Sequence, residues 1–530
     1  MVTYIRFVMF ATMLVGTLGV FCADSVKADQ NREASTEVLD LGGGWSFDIG
    51  ASAQERVTVS YLSSLLIGRP LPDDRSQLEP ATNVENRLRL GEYLTFRHRT
   101  GFFREFKIDL QLDLFSGSFA KTLDDELLRY DPVQPDGKGL FANTHHHLRK
   151  LSGEVTTMIG RISGGRTTNS WGLGILAQNA EDDDPLQFGF KRTGHYVTRL
   201  SFATVPAAWF MGDRALADAP LTIGFAYDWL VRDDRMSVDD GDSGNNIIAT
   251  LGWFAKDLRL GFFGVRRTQE NDDGLTTKAW VADIYGMGRF ELDGWRIQLA
   301  TEWAFVFGET ETFRSYANPD SVDIRQLGGV VRFDVAKELF LARLEGGYAG
   351  GDSRPSDDTL YAMTFASDYR VGLVLFPEVL RRTTAVAAYN AQDPRFTGEP
   401  PVGFDDIPSR GGVTQAMYIN AVVGIQPMSN LTVLAGALFA RTPEDAVDVY
   451  RTNLAGGTPT GPRGAVSETS LGVELDMAIR YRQPLGAGLS LMGQFAGGVL
   501  FPGGVFDDAE GNAAPAVGVA VGQFAVEGAW

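Results

Sequence analysis

Charged side chains recur at every second position along several stretches of this chain, and the chemistry they offer is recognition rather than catalysis. Arg89 and Arg97 alternate with leucines and a phenylalanine. Arg232, Arg296, Glu302, Arg332, Arg343, Glu345, Glu474 and Arg480 stand in the same relation to their apolar neighbours further on. A guanidinium keeps its charge at any working pH and grips a carboxylate or sulfate through two parallel hydrogen bonds. On the wall of a water-filled passage such residues would attract anionic or polyhydroxylated solutes. Paired with carboxylates across neighbouring strands, they would instead brace the wall. They are the candidate channel-lining residues, and Arg296, Arg332 and Arg343, on three consecutive long segments, are expected to form an arginine belt.

Other chemistry is thinly supported. His145-His146-His147 is the one histidine cluster, but three adjacent residues cannot all face one ion, and no cysteine accompanies them. Asp239–Gly244 lacks the spacing and terminal glutamate of a calcium loop. Gly172-Leu173-Gly174 has no helix start after it and reads as small strand residues rather than a phosphate fingerprint. His98 and His195 are the only histidines in strand-like segments, and neither adjoins a nucleophile motif. No catalytic residue, metal ligand or cofactor is expected, so the chain is read as a non-enzyme.

The elements that must carry these charges show a period of two. In Phe106–Phe115, Phe106, Ile108, Leu110, Leu112 and Leu114 oppose Lys107, Asp109, Gln111 and Asp113, the mark of an extended strand with one apolar face. About 20 such segments follow one another from Arg56 onward, among them Leu151–Ile162, Ser170–Gln178, Ser367–Phe376 and Arg381–Asn390. Short turns such as Asp293-Gly294 alternate with long polar loops such as Lys121–Arg149 and Ala391–Gly412. Sorting of loops by parity, with many segments of about 10–13 residues, predicts an all-β, up-and-down antiparallel transmembrane barrel. The expected strand number is about 20, with 18 as the alternative. Acidic groups crowd the long loops, for example Asp182–Asp184 and Asp405-Asp406, which predicts an acidic rim above a mixed lumen.

Composition agrees. Charged residues make up 22% of the 530 and hydrophobics 44%, with 61 glycines and 34 phenylalanines. A mean hydropathy of −0.08 excludes a bundle of apolar membrane helices. The net charge of −19 argues against a nucleic-acid partner. Residues 1–28 read as a cleaved signal peptide: Arg6, the apolar run Phe7–Phe21, then Val26-Lys27-Ala28. The single cysteine, Cys22, lies within it; lipidation there is disfavoured by bulky Phe21. Residues 29–54 are expected to be a periplasmic lead-in, and 55–530 the barrel.

The C-terminal segment, with Phe524, Val526 and Trp530 in phase, resembles the insertion signal of Gram-negative outer-membrane barrels. With the leader, it gives a likeness to porin-type barrels over nearly the whole mature chain. Ile159–Asn179 and Asp368–Arg381 also resemble segments of large outer-membrane barrels, and the size and layout are similar to the alginate-export type. The resemblance implies an outer-membrane location, contact with lipid, and insertion by the barrel-assembly machinery. It implies a porin-like channel. A dedicated exopolysaccharide exporter working with periplasmic proteins, and a structural barrel with a plugged lumen, are the alternatives.

Overall fold

The computed structural model describes residues 39–530 apart from 43, 67–76, 79, 99–100, 122–142, 182–183, 193, 212–220, 314–319, 356 and 393–407. The leader, Asp182, Asp183, Asp405-Asp406 and most of the Lys121–Arg149 and Ala391–Gly412 loops therefore lie outside the described residues.

Among the described residues one sheet closes on itself, antiparallel throughout its wall. Its 21 strands include three short ones, Leu39–Gly42, Met236–Ser237 and Thr359–Leu360, and the other eighteen form the wall. These are β1 (Trp45–Leu62), β2 (Ala81–His98), β3 (Phe103–Lys121), β4 (Asn143–Thr157), β5 (Gly160–Asn169) and β6 (His195–Thr204). Next come β7 (Leu221–Asp233), β8 (Ser243–Phe254), β9 (Leu258–Glu270), β10 (Thr276–Leu292), β11 (Trp295–Thr310) and β12 (Val322–Lys337). The circuit ends with β13 (Phe340–Ala349), β14 (Met417–Met428), β15 (Leu431–Arg441), β16 (Ser470–Gly486), β17 (Leu489–Pro502) and β18 (Val517–Ala529). Each strand pairs with the next, and β18 pairs with β1 from Ser52↔Ala529 to Leu62↔Val519. Every edge is thereby consumed, which is what lets a sheet stand in lipid.

The alternation that defines the strands also sorts the two faces. Phe225, Phe305, Met477 and Phe495 point outward and are about half exposed or more, part of an apolar band round the outside. Asp228, Glu302 and Glu474, on the opposite face of the same wall, have no exposed surface. An apolar exterior over a polar interior is the pattern of a barrel whose outside meets lipid. Among the described residues no helix is long and apolar enough to cross a membrane.

The strand number is the alternative, 18, and the differences have physical causes. Leu151–Ile162 does not run as one strand; it contains the β4–β5 hairpin, closed at Met158-Ile159, so Gly164–Asn169 is strand rather than turn. Ser170–Gln178 and Ser367–Phe376 are not strands but stretches of two long connections that turn into the lumen. There an apolar residue at every second position packs against the inside of the wall, which period alone cannot tell from a strand. Arg381–Asn390 lies in an α-helix, α1 (Arg381–Gln392). The first wall strand begins at Trp45, ahead of Arg56 where the alternation becomes clear.

Candidate functional site

Two connections at the long-loop end fold inward and meet. The first comprises residues 170–194, between β5 and β6, and the second residues 350–416, between β13 and β14. Ile175, Leu186 and Phe188 of the first join Met363, Phe365 and Leu373–Phe376 of the second in a buried cluster inside the barrel. Main-chain bonds tie them directly, Ala366 N–H donating to the Ile175 carbonyl at 2.7 Å. Asp368 of the second loop accepts from the N–H groups of Arg192 (2.6 Å) and Gly194 (2.7 Å) of the first.

Wall carboxylates hold both loops by the backbone. Glu302 on β11 accepts from the Leu173 N–H and, at 2.9 Å, from the Gly174 N–H. Glu474 on β16 accepts from Leu373 (2.5 Å), Val374 (2.8 Å) and Leu375 (2.7 Å). Both sites use the same device, a glycine with positive φ followed by leucine. Gly172 (φ 56°) and Gly372 (φ 67°) turn the chain so that successive N–H groups converge on one carboxyl group. A Cβ on Gly172 or Gly372 would stand 2.5 Å from the glutamate carboxylate, so the close approach requires glycine. Gly172-Leu173-Gly174 is thus a backbone nest, and what it holds is a carboxyl group of the wall.

Wall arginines complete the clamp. Arg343 Nη1 reaches Asp184 Oδ2 at 2.5 Å while its Nε and Nη2 bond Asp334 at 2.7 and 3.0 Å. Arg332 bonds Glu345 (2.7 Å) and the Tyr369 hydroxyl (3.0 Å), and lies 3.7 Å from Asp184. Glu345 in turn accepts from the hydroxyls of Tyr369 (3.0 Å) and Tyr418 (2.7 Å). Arg480 donates to the carbonyls of Asp184 and Pro185, both at 3.2 Å, and of Gln187. From elsewhere on the wall, Arg56 reaches the Lys191 carbonyl (2.8 Å) and Arg87 that of Arg192 (3.2 Å). The first loop is therefore gripped from strands on well-separated parts of the circuit, and crosses the lumen. Burial alone would raise the Asp184 carboxyl. The Arg343 and Arg332 guanidiniums, with the Leu186 N–H, more than offset it and hold Asp184 well below the usual carboxylate range.

The candidate lining residues fall into four groups. Arg332, Arg343, Glu345, Arg480, Glu302 and Glu474 are brought together by the loops they hold. Arg89 forms a two-point ion pair with Asp113, at 2.7 and 2.8 Å, within the wall. Arg97, which bonds Glu105 at 2.7 Å, and Arg296, beside the Asp293-Gly294 turn, lie exposed at the short-turn end, away from Arg332 and Arg343. Arg232 lines a cavity of about 210 Å³ at the long-loop end, 3.4 Å from His147 Nε2. Arg56, Glu85, Arg87, Arg192 and Asp368 share that cavity. His147 and His145 stack at 5.8 Å there, whereas His146 points away to accept from the Phe115 N–H. Among the described residues no group of histidine and carboxylate side chains is placed to hold a metal ion.

At the C-terminus Phe524 faces outward, and the Trp530 ring lies over Gly528, where a Cβ would meet it at 2.5 Å. Sequence reasoning missed the loop partners of Glu302 and Glu474. The signal was present in the two Gly-Leu pairs within Ile159–Asn179 and Asp368–Arg381, each followed by an apolar run.

No known protein family matches the sequence, and no curated protein does. Among solved structures, the fold is similar to Pseudomonas aeruginosa OccK8 (OprE), 9% identical, over 91% of this chain and 98% of that one with a TM-score of 0.47. Pseudomonas aeruginosa OccK2 (OpdF) is 11% identical over 91% and 98%, with a TM-score of 0.46. Acinetobacter baumannii OccAB1 is 8% identical over 91% and 96%, with a TM-score of 0.44. Similarity at this level carries no argument about what this chain does.

Proposed function

We propose that the protein is a constricted, solute-selective channel of a Gram-negative outer membrane, reached by an exported chain and inserted through its C-terminal strand. One observation carries the reading. Two long connections meet inside a closed barrel with an apolar outside and are fastened there by wall charges, leaving a small charged cavity at the long-loop end. A barrel of this size without inward loops has room for an aqueous channel. Fastening loops across it converts a wide passage into a narrow, selective one.

The cavity suits hydrophilic, polyhydroxylated solutes better than simple anions. Arg56, Arg87, Arg192 and Arg232 share it with Glu85, Asp233, Asp234, Asp239, Asp240 and Asp368, so donors and acceptors are interleaved with carboxylates in excess, which disfavours a simple anion. Arg89, Arg332, Arg343 and Arg480 contribute by holding the wall and the loop rather than by offering free charge. Conductance of the purified protein in a planar bilayer, with competition by sugars and by sugar acids, tests this. Small steps that a neutral oligosaccharide reduces would support it; an electrically silent barrel would overturn it.

A second reading draws on the buried cluster in the lumen. Nine-tenths or more of the surface of Ile175, Phe188, Phe365 and Phe376 is removed from solvent, as in a plug. A barrel closed until a periplasmic partner moves its loops, as an exporter requires, would be silent alone and conduct once the loop clamps are cut.

A further inference from the structure

A second cavity, of about 300 Å³, lies between the second inward loop and the long-loop half of β6 to β12. Its wall departs from the polar interior expected of a water-filled barrel. Leu230, Phe263, Val265, Val281, Val306 and Ile324 face it from the inward side. Their arrangement is ordered: Ile248, Val265, Val281 and Val306 are direct cross-strand partners, an apolar row over β8 to β11. Met363 and Phe365 of the second loop close the opposite side. Trp171 of the first loop packs over the row's Ile248–Val265 end, while Val281 and Val306 stay half-buried against the cavity, where contact with water is unfavourable. A concave apolar surface with a few convergent polar groups is the usual form of a small-molecule site.

The polar groups at its edge say what kind of molecule fits. Asn246, only 6% exposed, presents an Oδ1 with no hydrogen-bond partner among the described residues. Thr277, Thr310 and Thr312 add a cluster of hydroxyls bonded to one another at 2.6–3.1 Å. The charges along the lining balance, with Arg235, Arg267 and Arg410 set against Asp233, Asp234 and Asp352. Several are already engaged: Arg267 Nη1 bonds Asp233 at 2.5 Å, and Asp234 holds His195 (3.0 Å) and Ser367 (2.6 Å). Asp352 accepts from the N–H groups of Arg354 and Tyr361.

We propose that this cavity binds an uncharged amphipathic molecule with an aromatic or branched aliphatic body of about one ring. Its single hydroxyl or amide donates to Asn246 Oδ1, and its body lies on the Val265–Val281–Val306 row. The site adds a solute class to the channel proposed above and rests on that reading only for passage, since binding is measured apart from conduction.

The test uses the full-length protein in detergent and fluorine NMR of 4-fluorobenzyl alcohol. Saturable binding is expected. Val306→Phe, which fills the cavity, should weaken it at least tenfold, and Asn246→Ala several-fold. Val265→Thr keeps the volume but wets the row, and should also weaken binding if the Val306→Phe barrel does not assemble. 4-Fluorobenzoate should bind at least tenfold more weakly than the alcohol. Equal signals from wild type and both cavity variants would mean partition into detergent, and benzoate binding as tightly as the alcohol would mean an anion site; either overturns the proposal. Bilayer conductance of the same preparation separates the two readings. Binding in a silent barrel would sink the channel and keep the site, while conduction without binding would sink the site alone.

Discussion

Glu474 takes three backbone N–H groups onto one carboxylate, so its loss strands three donors at once. An unsatisfied buried donor costs about 1–3 kcal/mol, and about 1.4 kcal/mol is tenfold in a population. Glu474→Ala should therefore release the second loop, and Gly372→Ala should do the same by driving a Cβ into the carboxylate. Limited proteolysis within residues 366–392 should be at least about tenfold faster in both variants. Unchanged cleavage would mean that the loop is held by its apolar contacts alone. Asp184 gives a prediction in pH. Its carboxyl is held below the usual range in the folded chain, so its contribution is fully present above the ordinary carboxylate pKa. It is lost only as pH falls through the depressed value. The first loop should stay fastened between pH 7 and pH 4 in wild type, whereas Asp184→Asn should loosen it at both. Hydrogen exchange of residues 184–192, corrected for intrinsic rates, checks this. Residue chemistry was only partly legible beforehand. The charges on the inward face could be picked out by phase, but not their partners, because many of those are backbone groups of loops whose alternation reads as further strand.

At the scale of elements, strands and inward connections depend on different physics. Strands were legible where one face meets lipid and the other water, as in Phe106–Phe115, since both requirements write the same period into the sequence. They were misread where the chain runs inside the barrel and packs on its wall, as at Ser170–Gln178 and Ser367–Phe376. Arg381–Asn390 shows a different confusion. Its alanines and Thr383-Thr384 form a helix inside the lumen, where tertiary packing rather than an amphipathic stripe decides. That helix should be dispensable to the wall. Ala388→Pro, at a fully buried position of α1, should cost the helix about 3 kcal/mol yet leave a barrel that still shifts in mobility on heating in dodecyl sulfate. If the barrel fails to form, the loop core is a folding requirement and not an insert.

For the whole molecule, closure is the property that matters most. The last residue takes part in it: Trp530 N–H donates to the Ala51 carbonyl and Ala51 N–H to the Trp530 carbonyl, both at 2.8 Å. Deleting Trp530 removes this pair at the seam between β18 and β1 and should lower the yield of heat-modifiable barrel, which gel electrophoresis of outer-membrane fractions reads directly. The central claim is that a wide barrel is narrowed by two loops fastened to its wall through Glu302 and Glu474. Single-channel conductance in planar bilayers, wild type against the Glu302→Ala/Glu474→Ala double variant, tests it most directly. Wild type should give small steps and the double variant steps at least about threefold larger, approaching an open barrel of this size. Wild-type steps already as large as an open barrel's, or a double variant indistinguishable from wild type, would contradict it.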